Sequence, residues 1–301
     1  RSRRQRQMCI RDRALDLPEW AQTLEGIRIK RDDLIHPIIS GNKARKLKLL
    51  IQQLDTNKPK HLLSMGGNRS NFLHALAYLC HQENIKLSAC IRGPEPEHYA
   101  STLSDLKDWG VDLQFVPKDQ YKRLREEPNY AQSCAAQMNA QWLPEGGSDV
   151  SALLGIIQAV EELEAEPDSL FVPIGTGCTA LGLAIGLQQR GWGTKVIGVV
   201  VIKGAEGESG IEQDMRQLAA HADRLWPDNL YLEHNYCGKG FGKQSAQLKQ
   251  QQAYFEQLWG IPLDPVYTVK MCNTFKHYAE TANPLLGRNV LLWHTGGLQG
   301  N

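Results

Sequence analysis

The sequence predicts an α/β fold in which open parallel sheets are covered by helices on both faces. Short segments rich in Val, Ile and Leu alternate with longer helical stretches from about residue 27 onward, which is the order of elements in parallel α/β proteins. The short segments are apolar nearly throughout, as strands buried on both faces are. The length of 301 residues fits two domains or one large α/β unit.

Seven segments have the β-branched and apolar composition of strands. In chain order they are IRIKR at 27–31, HLLSM at 61–65, LSACI at 87–91, VDLQFV at 111–116, SLFVPI at 169–174, KVIGVVVI at 195–202 and NVLLWH at 289–294. Helices are predicted between them at 43–54, 70–83, 98–109, 149–165, 177–190, 243–258 and 270–281, and Ser148 is the candidate cap of the one at 149–165. Because ligands bind beyond the carboxyl ends of strands in such sheets, we expect the functional residues in the turns that follow strands.

The first thirteen residues, RSRRQRQMCIRDR, differ in composition from everything that follows. They contain six Arg, one Asp and almost no apolar residue, so we expect residues 1–13 to be a foreign or disordered head outside the core. Removing the +5 of this head from the total charge of +1 leaves −4 on residues 14–301, which argues against a nucleic-acid partner.

The remaining composition argues against metal sites, disulfide frameworks and membrane spans. The seven Cys form no C-x-x-C pair, and the nine His form no H-x-x-x-H group. No run approaches the ~20 consecutive apolar residues that a transmembrane helix needs. We therefore expect a cytoplasmic protein, in a reducing compartment, without a bound metal.

A lysine follows the first predicted strand at the start of a helix. Lys43 comes directly after Gly41-Asn42 in the segment 30–50, and three more cations follow it within five residues. Partial burial and neighbouring cations would lower the pKa of its amine and make it nucleophilic, as a cofactor-binding lysine must be. Taken alone, the segment also fits a basic helix face in solvent.

The second predicted strand ends at a pair of glycines and a helix start. Gly66-Gly67 allow a tight turn, and Ser70-Asn71 begin the helix. The free N–H groups and dipole at a helix N-terminus suit an anionic ligand group. The alternative is an ordinary turn with Ser70 as the helix cap.

A glycine-rich turn lies between the strand at 169–174 and the following helix. Its residues, here called the phosphate loop, are Gly175, Thr176, Gly177, Cys178 and Thr179. Glycines, hydroxyls and free N–H groups predict a phosphate site. The segment also matches G-x-G-x-x-A of nicotinamide dehydrogenases, but Lys203 stands where that motif requires an acidic residue, so a single phosphate monoester fits better.

Two further turns carry hydroxyl groups toward the end of the chain. Tyr267 in LDPVYTVKM could lie against a planar ring, and Thr295 directly after the last strand could bind a ring nitrogen. Taken singly, both residues also fit structural roles.

The motifs occur in the order typical of one enzyme family. The sequence resembles the 1-aminocyclopropane-1-carboxylate (ACC) deaminase / D-cysteine desulfhydrase family, within the tryptophan-synthase-β-like, fold type II pyridoxal-phosphate (PLP) enzymes, over roughly residues 27–300. The residues that carry the resemblance are KRDD at 30–33, GNKARKL at 41–47, GGNRSN at 66–71, GTGCTALGL at 175–183, DPVYT at 264–268 and HTGG at 294–297.

The resemblance implies a two-domain enzyme, usually a homodimer, that uses pyridoxal 5′-phosphate. The larger, PLP-binding domain would comprise residues 14–46 and 158–301, and a smaller inserted α/β domain residues 47–157. The phosphate loop would hold the cofactor phosphate, and a small amino acid would be the substrate.

The resemblance also implies a role for each site residue. Lys43 would hold the cofactor as a Schiff base and then remove the substrate Cα proton. Asn71 would contact the cofactor 3′-oxygen, and Ser70 would lie near the substrate carboxylate or reacting carbon. Tyr267 would face the ring or substrate, and Thr295 would meet the pyridine nitrogen.

Departures from the family pattern bear on the substrate. ACC deaminases place Glu directly after the Tyr of DPVY, where it protonates the pyridine nitrogen, whereas this chain has Thr268, as in the desulfhydrase branch. A second family tyrosine has no clear match, since the segment 236–243 reads YCGKGFGK and leaves Lys239 or Phe241 in its place.

The resemblance therefore favours a D-cysteine desulfhydrase-like α,β-elimination that yields pyruvate, ammonia and sulfide. The alternatives are ACC deaminase or D-serine deaminase-like activity on the same cofactor, and a PLP-binding protein without lyase activity.

Overall fold

The computed structural model describes residues 12–53, 58–202, 210–236 and 245–298. Its strands are β1 (Arg13–Leu15), β2 (Gly26–Arg31), β3 (His61–Gly66), β4 (Lys86–Arg92), β5 (Asp112–Val116), β6 (Gln141–Leu143), β7 (Ser169–Ile174), β8 (Lys195–Val200), β9 (Leu230–Glu233) and β10 (Asn289–His294). Its α-helices are α1 (Asn42–Lys46), α2 (Lys48–Gln53), α3 (Asn71–Gln82), α4 (Ser101–Asp108), α5 (Lys118–Glu126), α6 (Pro128–Gln137), α7 (Val150–Ile157), α8 (Cys178–Gln189), α9 (Ile211–His221), α10 (Ala246–Trp259) and α11 (Thr268–Glu280).

The strands form two sheets. A six-stranded sheet has the order β1-β2-β10-β7-β8-β9, and a four-stranded sheet has the order β5-β4-β3-β6. All neighbouring strands are parallel except β1, which pairs with β2 in the antiparallel direction. The predicted parallel α/β fold is confirmed, with one antiparallel strand at an edge.

Each sheet is covered on both faces, as predicted. Leu291 of β10 packs in the cluster formed with α7, α8 and α9, and its neighbour Leu292 packs in the cluster formed with α10 and α11. In the four-stranded sheet, Leu62 faces α3 and α4 whereas Leu63 faces α5 and α6. Consecutive apolar residues therefore serve opposite faces, which explains the unbroken apolar runs in the sequence. Among the residues described, none of the helices has both the length and the apolarity to cross a membrane.

All seven predicted strands form, and the predicted helices form with small changes of boundary. The stretch predicted at 43–54 is divided into α1 and α2, and the one at 149–165 continues past α7 as a 3₁₀ helix, Gln158–Glu162. The short strands β1, β6 and β9 and the helices α5, α6 and α9 were not predicted. The three strands have only three or four residues, too few for a periodic pattern.

The start of the described chain corrects one expectation. Arg13 opens β1, and the Asp12 carboxylate lies 3.0 Å from Arg28 Nη1 and 3.5 Å from Lys30 Nζ. Asp12 and Arg13 are therefore part of the fold, although residues 1–13 were expected to lie outside it. Composition could not reveal this, because strand pairing and two ion pairs hold these residues rather than apolar burial. Residues 1–11 lie outside the described ranges.

The four-stranded sheet is inserted in the chain between two strands of the six-stranded sheet. The chain leaves the six-stranded sheet after β2, forms the whole four-stranded sheet, and returns at β7. The outward segment (residues 32–53) carries α1 and α2, and the return segment (residues 144–168) carries α7. The domain boundaries at 46/47 and 157/158 stay a prediction.

Candidate active site

Three groups of predicted site residues lie beyond the carboxyl ends of adjacent strands. β2, β10 and β7 are neighbours in the six-stranded sheet. The turns that follow them carry Lys43, Thr295 and the phosphate loop. Asn71, which follows β3 of the other sheet, reaches the same place, because a Cβ added at Gly297 would lie 2.9 Å from Asn71 Nδ2.

The turn before Lys43 is built against the backbone of the β10 turn. Gly41 has φ +67°, and a Cβ there would overlap the Thr295 carbonyl oxygen. The Asn42 N–H donates to that same oxygen at 3.1 Å. Only glycine allows this approach, so Gly41 fixes the start of the helix that carries Lys43.

The amine of Lys43 is chemically activated by its surroundings. Burial, assisted by the nearby Lys46 cation, lowers its pKa from 10.5 to about 7, although the Asp264 carboxylate acts in the opposite direction. Its Nζ donates a hydrogen bond to Asn42 Oδ1. A large fraction of the amine is therefore unprotonated at neutral pH, and it can act as a nucleophile or a base.

Asn42 links the lysine to the phosphate loop. Its Nδ2 donates to Thr179 Oγ1 at 2.8 Å, in the first turn of α8. Gly177 precedes this 12-residue helix with φ +81°, and a Cβ there would overlap the Met215 side chain. The loop therefore keeps its glycine conformation, and the first N–H groups of α8 have no partner within the helix, as an anion site requires.

A second loop meets the phosphate loop from the four-stranded sheet. Ser148 Oγ donates to Thr176 Oγ1 at 2.6 Å, and a Cβ at Gly146 would lie 2.9 Å from Thr176 Cγ2. Ser148 was a candidate cap for the following helix, but the cap of α7 is Asp149, whose Oδ1 accepts from the Ala152 N–H at 2.7 Å. Ser148 instead belongs to the site.

Lys46 is a site residue that the sequence analysis missed. Its Nζ donates to the Gly146 carbonyl at 2.8 Å and to Thr176 Oγ1 at 3.3 Å, and burial lowers its pKa. It therefore places a buried amine beside the phosphate loop. The signal was its spacing of three residues from Lys43, which puts both amines on one side of a helix.

Cys178 contributes to the loop through its backbone. Its side chain is fully buried, and burial raises the pKa of the thiol despite the neighbouring Lys46 and Lys43 amines. The thiol is therefore protonated at neutral pH. As the first residue of α8, Cys178 offers a backbone N–H at the helix N-terminus.

Tyr267 lies across the phosphate loop. A Cβ at Gly175 would lie 3.2 Å from Tyr267 Cε1, so the ring rests on the glycine backbone. Burial, with the Asp264 and Glu145 carboxylates, raises the pKa of the phenol. The hydroxyl therefore keeps its proton at neutral pH.

Asp264 is the second residue that the sequence analysis missed. Its Oδ1 accepts from the N–H groups of Val266 and Tyr267, and a Cβ at Gly297 would lie 3.2 Å from its Oδ2. Burial raises its pKa to about 7. Asp264 therefore sits between the Tyr267 turn, Gly297 and the Lys43 amine, and only the tertiary structure reveals this position.

Ser70 serves as the N-cap of α3. Its Oγ accepts from the Leu73 N–H at 3.2 Å, and a Cβ at Gly66 would lie 2.8 Å from the same oxygen. The alternative role considered for this residue is thus confirmed. Its predicted contact with a substrate stays a prediction.

Thr295 is buried directly after β10. Its carbonyl accepts from Asn42, and the turn is held by His294, whose Nδ1 accepts from the Gly296 N–H at 3.0 Å. His294 Nε2 lies 2.9 Å from the Pro262 carbonyl, to which it donates, since burial lowers the pKa of the ring and keeps it neutral. The ring is therefore in one tautomer and fixes the position of Thr295.

Thr268 uses its hydroxyl within its own turn. Its Oγ1 accepts from the Asp264 N–H at 2.7 Å and donates to the Asp264 carbonyl at 2.9 Å. This is the position at which ACC deaminases were expected to carry Glu. Lys203, Lys239 and Phe241, on which the sequence analysis also drew, lie outside the described residues.

The assembled groups fit pyridoxal 5′-phosphate. An amine with a lowered pKa suits the aldehyde, and a helix N-terminus with hydroxyls and the Lys46 amine suits the phosphate. The Asn71 amide lies beside Gly297, in the turn that follows β10. The tight backbone contact between Gly41 and Thr295 holds these groups at one sheet edge.

Comparison with known proteins agrees with this chemistry. Residues 10–296 match the family described as pyridoxal-phosphate dependent enzyme. The chain is 28% identical over 284 residues to the D-cysteine desulfhydrase of Yersinia pestis (strain Pestoides F), covering 90% of this chain and 86% of that one. It is 26% identical over 283 residues to a Thermotoga maritima protein provisionally named 1-aminocyclopropane-1-carboxylate deaminase, covering 91% and 89%.

A solved structure extends the agreement to the fold. The crystal structure of an ACC deaminase homologue superposes with a TM-score of 0.79 at 26% identity, over 97% of this chain and 91% of that chain. The predicted fold class, enzyme class and cofactor are confirmed. The chain belongs to the family of pyridoxal-phosphate dependent enzymes.

Proposed function

We propose that this enzyme is a lyase of the D-cysteine desulfhydrase type, which converts a small amino acid with a β-thiol into pyruvate, ammonia and sulfide. The observation that carries the proposal is the Lys43 amine. It has a pKa of about 7 and lies at the meeting point of the phosphate loop, Asp264 and the β10 turn. A lysine in that state can both bind a carbonyl cofactor and move a proton.

The phosphate loop and the residues around it would bind the cofactor. The first N–H groups of α8, the Thr176 hydroxyl and the Lys46 amine would hold the phosphate, and Asn42 keeps this loop in register with Lys43 through Thr179. Asn71 would contact the 3′-oxygen and Thr295 the pyridine nitrogen. Tyr267, which lies on Gly175, would bound the ring or the substrate.

Lys43 would carry the proton transfers. When bound, the cofactor supplies an electron sink for the charge left at the substrate Cα. The Lys43 amine would remove the Cα proton, and the thiolate would leave Cβ with the electron pair of the C–S bond. Water would then hydrolyse the released enamine to pyruvate and ammonia. The N-terminus of α3, capped by Ser70, would hold the substrate carboxylate.

Two observations support the desulfhydrase type over ACC ring opening. The residue after Tyr267 is a threonine, and its hydroxyl already bonds to the Asp264 backbone on both its donor and acceptor sides. It therefore offers no acid to protonate a pyridine nitrogen, and the electron sink is weaker than in an enzyme with Glu there. The D-cysteine desulfhydrase of Yersinia pestis is also among the proteins that this chain resembles.

The test is release of 2-oxo acid from D-cysteine, L-cysteine, D-serine and ACC by the cofactor-loaded enzyme, with Lys43→Ala as the control. We expect pyruvate and sulfide from D-cysteine, and loss of at least about 1000-fold in turnover in the control, as when a catalytic group is removed. Product from ACC or D-serine alone would assign the corresponding deaminase. Cofactor binding without any product would identify a PLP-binding protein without lyase activity. Full turnover by Lys43→Ala would overturn the role of Lys43.

Two further properties belong to the proposal. The homodimer expected from the resemblance and the cytoplasmic location expected from the composition stay predictions.

A further inference from the structure

Beneath the Lys43 helix lies a set of buried charges that the proposed chemistry does not use. Arg45, two residues after Lys43, donates from Nε and Nη2 to the two carboxylate oxygens of Asp32 at 2.7 and 2.6 Å. It also donates from Nη1 and Nη2 to the two carboxylate oxygens of Glu162, both at 2.9 Å. Its side chain is 2% exposed. We call these three residues, with Trp293, the Arg45 network.

Trp293 joins the network from the last strand. Its Nε1 donates to Asp32 Oδ2 at 2.7 Å, and the Arg45 guanidinium lies 5.3 Å from the centre of its ring. Asp32 in turn accepts the Gly41 N–H on its backbone carbonyl at 3.0 Å. Asp32 therefore touches both ends of the turn that carries Lys43.

The network joins the two segments in which the chain passes between the sheets. Arg45 lies in the outward segment, and Glu162 lies in the return segment. The backbones of the two segments are also in contact, because a Cβ at Gly155 of α7 would overlap the Arg45 carbonyl oxygen. Among the described residues, the two carboxylates that contact Arg45 therefore come from distant parts of the chain, Asp32 from the outward segment and Glu162 from the return segment.

The helix that carries Lys43 cannot hold its own position. α1 has five residues, too few for a stable isolated helix. A buried arginine with two carboxylates is also weak support for stability, since the cost of burying the charges offsets their attraction. What the planar guanidinium does provide is a fixed angle between its two partners.

The geometry points to Arg45 as a positioning residue for the Lys43 amine. Its guanidinium fixes α1 both to Asp32 and to Glu162 of the return segment. This rests on the proposed role of Lys43 as the lysine that binds the cofactor. Lysine at position 45 would keep the charge, but it has one nitrogen and cannot bind both carboxylates in the same geometry.

The test compares Arg45→Lys with Arg190→Lys. Arg190 is a matched control, because its Nη1 donates to the Val160 and Leu163 carbonyls of the same return segment, and within the described ranges its side chain forms no hydrogen bond or ion pair with α1. The first readout is the rate at which cofactor-free protein captures pyridoxal 5′-phosphate at Lys43, followed by the visible absorption of the bound cofactor. The second is kcat and KM on whichever amino acid the wild type turns over.

We expect Arg45→Lys to slow capture and to lower kcat by about 10- to 100-fold, the order found for small displacements of reacting groups, with KM changed by less than about 3-fold. Arg190→Lys should stay within about 2-fold of wild type in both. Equal capture rates and kcat values for the two variants, with both folded, would overturn the inference and leave a structural role only.

A second variant covers the case in which Arg45→Lys does not fold. Glu162→Gln keeps the size of the side chain and leaves the Arg45–Asp32 pair intact, and Glu162 is 17% exposed. It should slow capture in the same direction by at least about 3-fold, and an unchanged rate would contradict the inference. Capture by wild type at a lysine other than Lys43 would instead refute the proposed function.

Discussion

At the scale of single residues, the site depends on two groups whose pKa values move toward each other. Burial lowers the pKa of Lys43 to about 7 and raises that of Asp264 to about 7. Near neutral pH a proton can therefore rest on either group at little cost. This suits a lysine that must be unprotonated to attack a carbonyl and then accept and return a proton.

The Asp264 carboxyl gives the cofactor-free protein a distinct pH dependence of stability. Its folded pKa is about 7 and its ordinary value is 3.8, so between pH 4 and pH 6 the native state binds a proton that the unfolded state has released. The contribution of the Asp264 carboxyl to the free energy of unfolding is therefore largest at low pH. It falls as the pH rises, by at most about 1.4 kcal/mol per pH unit. Lys43 is protonated in both states over this window.

Asp264→Asn cannot titrate and should lose this dependence. Its free energy of unfolding in urea, relative to wild type, should rise steadily from pH 4 to pH 6. Asp228→Asn, at an exposed position, serves as the control for the loss of a carboxylate at the surface. Parallel curves for wild type and Asp264→Asn would show that the carboxyl is not buried as described.

Residue patterns predicted Lys43, Ser70-Asn71 and the phosphate loop because each occupies a turn after a strand. They could not predict Asp264, whose importance comes from what the fold places against it, such as Gly297. For Lys46 the spacing of three residues from Lys43 was a signal, but only the fold shows that its amine lies against Thr176.

At the scale of elements, the turn that precedes α1 depends on one glycine. Gly41→Ala introduces a Cβ at φ +67° that would overlap the Thr295 carbonyl oxygen. We expect a loss of about 3 kcal/mol or more in the free energy of unfolding, from backbone strain together with the overlap. Urea unfolding of the cofactor-free protein measures it.

Gly67→Ala is the matched control for that experiment. A Cβ at Gly67 would meet no atom within 4 Å, although the residue also lies in a glycine turn after a strand. We expect its free energy of unfolding to change by less than about 1 kcal/mol. Similar losses in the two variants would indicate that α1 is not held against the β10 turn.

Elements with a clear apolar pattern were predictable, and those held by other forces were not. Strands such as β7 and β10 are buried on both faces, and their composition alone identifies them. β1 has three residues and is held by pairing with β2 and by the ion pair between Asp12 and Arg28.

The cap of α7 was predicted one residue too early. Ser148 and Asp149 are equally good caps, and only the structure shows Ser148 bound to Thr176.

At the scale of the whole molecule, the site exists because two sheets present their carboxyl edges to each other. The six-stranded sheet supplies Lys43, Thr295 and the phosphate loop, and the four-stranded sheet supplies Asn71 and the loop with Gly146 and Ser148. The sequence could predict which turns take part, since parallel sheets bind ligands at this edge. It could not predict the contact between the sheets, which depends on pairs distant in the chain such as Arg45 and Glu162.

The central claim is that Lys43 binds the cofactor, and chemical fixation tests it most directly. Borohydride treatment of the cofactor-loaded enzyme, followed by digestion and mass spectrometry, identifies the lysine that carries pyridoxal phosphate. We predict the added mass on the peptide that contains Lys43, and no fixed cofactor in Lys43→Ala. Fixation at another lysine, or undiminished fixation in Lys43→Ala, would contradict this account of the site.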